Sequence, residues 1–186
     1  MKQTTDKKKA PKVDVKVQAA QGNGHAKHEA IKANLGLSEK NVREIVNRLS
    51  VLLADEHILY TKTRNYHWNV EGDNFMEMHK FYEGLYEKQA DLIDEIAEKI
   101  RSLGHYAQGR LKDYLAICNL EEQEYTNDQR TQLKNLLDDH ETIVRYLRKD
   151  VRDFDEKFED TGTSDFVNRV LQDHEQWAWF IRSYLR

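Results

Sequence analysis

The sequence predicts an all-helical protein, and three features of its composition support this prediction. The 186 residues contain one proline, Pro11, and eight glycines, whereas ordinary proteins use roughly 5% Pro and 7% Gly. Every residue after Pro11 therefore keeps the amide donor that a helix requires. Helix-forming residues such as Leu, Glu, Lys and Ala dominate, and period-two runs of β-branched residues are almost absent. We therefore expect no sandwich, barrel or doubly wound sheet, and a chain of this length suits one domain.

The apolar runs, the cysteine count and the charge distribution of the sequence indicate the environment in which we expect the protein to work. No apolar run approaches the roughly 18 residues of a membrane span. The single cysteine, Cys118, permits no intrachain disulfide, which favours a reducing compartment. The basic N-terminus lacks the hydrophobic segment of a secretory signal. The net charge of −4 hides an asymmetry, because residues 1–20 carry a balance of +4 and the rest of the chain −8. A basic arm thus precedes an acidic body.

The N-terminal half predicts a tail followed by a helical hairpin. Residues 1–38 hold few large apolar groups, so we expect a flexible basic tail. Ser38 has the properties of an N-cap, and the next helix covers 39–69. A break at residues 71–73 precedes a second helix over 74–103, with Asp73 or Asn74 as its cap and Gly104 at its C-terminal end. The apolar positions of this second helix alternate between steps of three and four residues.

The C-terminal half predicts a long connection and a second hairpin. Residues 105–127 are irregular apart from a short helix near 111–117. A third helix spans 128–158 and a fourth 164–184, separated by residues 159–162. Two tight hairpins joined by a crossover of this length describe a four-helix bundle over residues 39–186. Among bundles, one long crossover is the ferritin-like connection.

The second helix carries two polar pairs that predict a metal site. His79 with Glu83, and Asp94 with Glu98, are each four residues apart and lie on one stripe, away from the apolar face of the helix. The midpoints of the pairs are separated by about 22 Å along the axis, so one copy of the helix cannot unite them. A second copy packed antiparallel across a two-fold axis can. His67, near the end of the first helix, could complete the donor set.

Two imidazoles and three carboxylates suit iron, with zinc as a competitor, and the lack of thiolates argues against iron–sulfur chemistry. The alternative is that the charged pairs are ordinary solvated faces. A di-iron site inside one bundle is disfavoured, because no histidine has Glu three residues earlier, as such sites require. A site between subunits remains open.

The run His67-Trp68-Asn69-Val70-Glu71-Gly72-Asp73-Asn74-Phe75, followed by Met78-His79 and then 94–98, closely resembles the Dps family. These bacterial mini-ferritins are named for DNA protection during starvation, and the likeness covers about residues 40–185. The resemblance implies a hollow dodecamer in the bacterial cytoplasm, with ferroxidase centres at the two-fold interfaces. It assigns His67, His79 and Glu83 to one subunit and Asp94 and Glu98 to its neighbour. Glu83 stands where many members have Asp.

The resemblance also implies a reaction and a route for iron. Fe(II) would be oxidised, with hydrogen peroxide favoured over oxygen, and ferric oxide would be stored in the cavity. Trp68 is a candidate scavenger of stray oxidising equivalents or, alternatively, an interfacial aromatic anchor. An acidic entry pore near the junction of the third and fourth helices would focus cations; its candidate residues are Glu156, Asp160 and Asp165. A solubilising loop is the alternative.

The basic arm predicts a second partner, double-stranded DNA bound without sequence preference. Nucleoid association would follow. A second function is therefore an architectural DNA-compacting shell whose metal site is secondary or holds zinc, and a third is a plain helical interaction module. His25 and His28 are candidates for a further metal site in the tail, with solvated linker histidines as the alternative. The candidate DNA-contacting residues are Lys2, Lys7, Lys8, Lys9, Lys12 and Lys16.

Overall fold

The computed structural model describes residues 33–186, and this part of the chain is entirely helical apart from its connections. Its five α-helices are α1 (Glu39–Asn69), α2 (Phe75–Ser102), α3 (Leu111–Ile117), α4 (Gln129–Arg152) and α5 (Thr161–Tyr184), and a π-helical turn, Asp153–Lys157, extends α4. The predicted all-helical fold and the long crossover with its short helix are thus confirmed. The arm lysines, His25 and His28 lie outside the described residues, and the tail boundary at residue 38 stays a prediction.

Local signals explain the bounds of the first hairpin. The Ser38 hydroxyl accepts a hydrogen bond from the Asn41 amide at 3.1 Å, which satisfies one free donor at the start of α1. Gly104, with φ of +86°, directly follows the last residues of α2, where a left-handed conformation ends a helix. Asn74 precedes α2 but makes no side-chain capping bond. The predicted ranges for α1, α2 and α3 agree with the structure to within one residue.

The junction between the last two helices differs from the prediction. The third helix was expected to run to residue 158, yet regular α-helix ends at Arg152 and the π-helical turn takes over. Glu159 has a positive φ of 59°, and the side chain of Asp160 accepts a hydrogen bond from the Thr163 amide at 2.9 Å. The fourth helix therefore begins at Thr161 rather than 164. Gly162, taken as part of a break, lies inside it because the cap stands two residues earlier.

The helices pack as two hairpins, α1 with α2 and α4 with α5, around one apolar core. Within each hairpin a short turn brings the second helix back along the first, and the two hairpins share buried Leu, Ile and Val side chains. Full burial of such a side chain contributes about 1.5–3 kcal/mol relative to exposure. The core members with no exposed surface include Ile45, Leu49, Leu59, Ile96, Ile100, Leu136, Ile143, Leu147, Val167 and Val170.

Buried charges fasten the long crossover to the bundle. The Asp55 carboxylate accepts hydrogen bonds from the backbone amides of Asn119 at 2.6 Å and Leu120 at 3.1 Å. The Lys62 ammonium donates to the Glu121 carbonyl at 2.7 Å and to Asp139 at 2.5 Å. Burial raises the pKa of both Asp55 and Asp139 to about 6. No helix within residues 33–186 combines the length and apolar character needed to cross a bilayer.

Candidate metal centre

The turn between α1 and α2 brings two of the predicted metal ligands into contact. His67 lies in the last turn of α1 and His79 in the second turn of α2, and the short connection folds α2 back beside α1. The two imidazole rings stack with centroids 3.7 Å apart and an angle of 20° between their planes. Residues separated by twelve positions in the sequence thus form one pair of nitrogen donors.

Reciprocal hydrogen bonds hold this pair and determine its tautomers. Nδ1 of His67 lies 2.8 Å from the carbonyl oxygen of His79, and Nδ1 of His79 lies 2.8 Å from the carbonyl oxygen of His67. A carbonyl oxygen only accepts, so each Nδ1 must carry a hydrogen and donate it. In the neutral imidazole the lone pair then resides on Nε2. Both rings therefore present Nε2 as the atom able to bind a metal, oriented by backbone contacts as metal-ligating histidines commonly are.

Aromatic groups enclose the pair. Phe75 stacks on His79 with centroids 5.1 Å apart, and the edge of Tyr86 meets His67 at 5.2 Å. His67 is only 8% exposed. The Arg64 guanidinium lies over the ring of Tyr86 at 4.9 Å and over that of Trp68 at 5.3 Å, so it organises the outer side of the cluster. Trp68 itself is 63% exposed.

The predicted carboxylates do not join the histidines within one subunit. Glu83 is half-buried one turn beyond His79, whereas Asp94 and Glu98 are exposed farther along α2. None of the three forms an ion pair with another residue of the range 33–186. In the same range, no three His, Cys, Asp or Glu side chains lie close enough together to hold a metal ion. The structure therefore unites His67 and His79 and leaves the acidic members of the predicted site apart.

The predicted pore residues have unequal surroundings. Glu156, in the π-helical turn, and Asp165, in the second turn of α5, are exposed. The carboxylate of Asp160 is engaged as the N-cap of α5, where it binds both the amide and the hydroxyl of Thr163. Asp160 therefore has a structural task that the sequence pattern did not indicate, and the pore stays a prediction.

Sequence reasoning missed a second group of titratable residues, in the centre of the bundle. Glu56, His140 and His174 have no exposed surface, and no role was predicted for them. A signal was present, since each occupies an apolar position of its helix. His140, for example, lies four residues after Leu136 and three before Ile143, which is the spacing of a core face.

The comparisons with known proteins agree with this architecture. The ferritin-like domain family matches residues 46–186. A low temperature-induced protein of Nostoc is 37% identical over 82% of this chain and 86% of its own length. A DNA protection during starvation protein of Porphyromonas gingivalis is 32% identical over 80% of this chain and 93% of its own length.

Solved structures show the same fold. A Dps protein from Vibrio cholerae O1, described as a member of a broad superfamily of ferritin-like diiron-carboxylate proteins, superimposes with a TM-score of 0.79 at 28% identity. The match covers 86% of this chain and 100% of that one. DpsC from Streptomyces coelicolor superimposes with a TM-score of 0.80 at 26% identity, over 84% of this chain and 92% of that one. With its helical bundle, its histidine pair and these relatives, the chain belongs to the Dps family of ferritin-like proteins.

Proposed function

We propose that this protein oxidises Fe(II), preferably with hydrogen peroxide, and stores the ferric product inside a hollow dodecamer. The observation that carries the proposal is the His67–His79 pair. Its two Nε2 atoms are oriented as metal donors, yet within residues 33–186 of the same subunit no third His, Cys, Asp or Glu side chain completes a metal site beside them. Such an incomplete donor set is what a site shared between two subunits requires.

The missing ligands would come from a neighbouring subunit. Asp94 and Glu98 lie on α2, about 22 Å from the pair of His79 and Glu83. An antiparallel contact between two copies of α2 sets the acidic end of one copy against the histidine end of the other. Isologous symmetry then makes two equivalent sites per dimer. The exposure of Asp94 and Glu98 supports this arrangement, since both are free to meet another subunit.

The donor set suits iron as substrate. Imidazole nitrogens and carboxylate oxygens bind iron, and the net negative charge of the carboxylates favours Fe(III) over Fe(II). Two Fe(II) ions at neighbouring positions would each give one electron to one hydrogen peroxide molecule. Its O–O bond breaks and two protons from solvent are taken up to give two water molecules, so no hydroxyl radical is released. Trp68 would intercept oxidising equivalents that escape. Zinc suits the same ligands and would compete. Iron would enter through an acidic pore, for which Glu156 and Asp165 are the remaining exposed candidates.

Protection of DNA is the second part of the proposal, and the relatives named for it support it. Six lysines within residues 1–20 would neutralise phosphates, and a dodecamer would present them multivalently. The same charge favours the architectural shell as a second function. We place the protein in the bacterial cytoplasm, in part at the nucleoid. Deletion of residues 1–20 should abolish DNA retardation at low salt, and equal retardation without the arm would contradict this part.

The shared metal site is tested by mixing two inactive variants. His67→Ala/His79→Ala lacks the nitrogen donors, and Asp94→Ala/Glu98→Ala lacks the carboxylates. Each alone should oxidise Fe(II) slowly with peroxide and with oxygen. When both are co-expressed, a mixed dimer contains one site built from two intact halves, so random pairing restores about one quarter of the sites.

The control for the mixing experiment is His105→Ala/Asp138→Asn, which removes a histidine and a carboxylate outside the site and should keep the full rate. If the co-expressed variants recover no activity while both parents assemble normally, the shared site is wrong. If the parents themselves retain the wild-type rate, the ligand assignment is wrong. These two failures are therefore distinguishable.

A further inference from the structure

The centre of the bundle holds a chain of three buried polar side chains, one from each of three helices. Nε2 of His174, on α5, lies 2.8 Å from Oε1 of Glu56, on α1. Nδ1 of His174 lies 2.9 Å from Nδ1 of His140, on α4. All three residues are 0% exposed. The chain therefore links the first hairpin to the second through the core, far from any solvent that could satisfy these groups.

The number of protons on this chain follows from its contacts. A bond between two Nδ1 atoms needs one hydrogen between them, since two lone pairs or two N–H groups would repel. The 2.8 Å contact between Oε1 of Glu56 and Nε2 of His174 lacks hydrogen-bond alignment, and neither Glu56 oxygen has another hydrogen-bond partner within residues 33–186. The buried carboxylate therefore depends on a positive charge nearby. An imidazolium at His174 supplies both requirements, because it faces Glu56 with one nitrogen and donates to neutral His140 with the other.

Each change of proton count has a definite consequence. When the two histidines together carry one proton more than in their neutral forms, that charge balances the Glu56 carboxylate. The group of three side chains is then electrically neutral, and both contacts are kept. A further proton on His140 turns both Nδ1 atoms into donors, which breaks their bond and sets two like charges side by side in a medium of low dielectric constant. We propose that Glu56, His174 and His140 form a proton-operated lock, which ties α1 to the α4–α5 hairpin and opens when a second proton enters it.

The groups around the lock bear on its response to pH. On α1 these are Asp55, His57 and Lys62, and on α4 they are Asp139 and Tyr146. From α2, the core contains the hydroxyl of Tyr82 and the amide of Gln89, which are uncharged. Burial, the charge of His174 and that of Lys62 hold the pKa of His140 well below its ordinary value. Burial raises the pKa of Asp55 and Asp139 to about 6, so these two carboxyls respond in the opposite direction.

The way in which the free energy of unfolding changes with pH follows from the difference in the pKa of His140 between the folded and unfolded states. The folded-state pKa of His140 is depressed, so its contribution to stability is present above the ordinary value of about 6.5 and is lost as the pH falls. As the pH falls from 7 to 5, the unfolded protein binds a proton at His140, whereas the folded protein does not. This one group raises the unfolding constant about twenty-fivefold over that interval.

The test compares unfolding constants of the iron-free, full-length protein at pH 7 and pH 5, measured with denaturant at fixed subunit concentration. For each variant, the unfolding constant at pH 5 is divided by that at pH 7, because this ratio does not depend on baseline stability. His140→Gln keeps a polar partner for His174 without titrating, and its ratio should be about 25 times smaller than that of the wild type. His105→Gln, which removes a histidine outside the core, should keep the wild-type ratio.

A ratio for His140→Gln equal to that of the wild type would overturn the lock. If this variant does not fold, His140→Leu fills the same space without a polar atom, and its ratio should likewise be about 25 times smaller than that of the wild type. Because the assay uses no iron, its result is independent of the proposed ferroxidase activity, and either proposal can fail alone.

Discussion

Two histidine pairs in this chain differ in what their Nδ1 atoms bind. In the pair of His67 and His79 at the α1–α2 turn, called the surface pair here because it adjoins the exposed Trp68, each Nδ1 donates to the backbone carbonyl of the other residue. Both Nε2 atoms are left available. In the core pair, His140 and His174, the two Nδ1 atoms bind each other, and the outer nitrogen of His174 faces a carboxylate. The surface pair is therefore arranged to receive a cation, whereas the nitrogens of the core pair are already occupied by each other and by the contact with Glu56.

The surroundings of the two pairs reinforce this difference. The surface pair lies at a helical turn among aromatic rings, beside the exposed indole of Trp68. The core pair is fully buried, and the indole of Trp177 packs against both of its rings. Ligand binding can complete a donor set at a surface, but a buried charge must be compensated within the fold. Substitutions at the two pairs should consequently affect different properties, activity in one case and stability in the other.

The largest effect is expected from His174→Leu, because it leaves the Glu56 carboxylate buried without a positive partner. Breaking a buried pair in this way costs about 3–5 kcal/mol of unfolding free energy. The triple variant Glu56→Leu/His140→Leu/His174→Leu should recover most of this loss, since a well-packed apolar replacement is often neutral. Denaturant unfolding at pH 7 measures both. If the single and triple variants are equally destabilised, the cost lies in packing rather than in charge.

The surface pair should respond with a loss of activity. His67→Ala/His79→Ala removes both nitrogen donors, and we expect the initial rate of Fe(II) oxidation to fall at least about 100-fold, because loss of a ligand's hydrogen-bonding partner alone costs about 10–100-fold. The unfolding free energy should change far less than in His174→Leu. His140→Gln, assembled to the same size in gel filtration, should keep the wild-type oxidation rate. Equal loss of rate in both variants would remove the distinction between the pairs.

An opposite dependence on pH is expected for the carboxyl that pairs with Lys62. Burial raises the folded-state pKa of Asp139 to about 6, so its contribution favours the fold at low pH and is lost as the pH rises through about 6. Between pH 7 and pH 5 this group lowers the unfolding constant about tenfold. Asp139→Asn should abolish that factor, while Asp138→Asn, its exposed neighbour, should not. If Asp139→Asn instead lowered the ratio of the unfolding constant at pH 5 to that at pH 7, as His140→Gln should, the two residues would share one cause for their pH dependence.

The parts of the fold that local signals control could be predicted from the sequence. Ser38 and Gly104 mark helix ends through their own hydroxyl and their own φ, so the bounds of α1 and α2 followed. The π-helical turn after α4 could not be predicted, because it is stabilised from α1. Arg48 contacts Asp150 at 2.5 Å and Asp153 at 2.7 Å, and its guanidinium lies over the ring of Phe158 at 5.2 Å.

The residues of the candidate sites likewise fall into those that a local sequence pattern selects and those whose arrangement depends on contacts between helices. The i,i+4 spacing on α2 was sufficient to select His79 and Glu83, since helical geometry alone places them on one face. The hydrogen bonds that orient His67 and His79 depend on the angle of the α1–α2 turn, which no local pattern specifies. Glu56, His140 and His174 occupy apolar positions of their helices, which the sequence shows, but each one's partner lies more than thirty residues away in the sequence.

The smallest effect should come from the aromatic support of the surface pair. Phe75 stacks on His79 at 5.1 Å, and contacts of this kind contribute about 0.5–1.5 kcal/mol. Phe75→Leu keeps apolar bulk but loses the ring, so the Fe(II) concentration at half-maximal rate should rise roughly two- to twelvefold. Met76→Leu, at the adjacent exposed position, is the matched control and should leave that concentration unchanged. A loss as large as that of His67→Ala/His79→Ala would mean that the backbone hydrogen bonds do not hold the imidazoles by themselves, and that the ring of Phe75 is part of what orients Nε2.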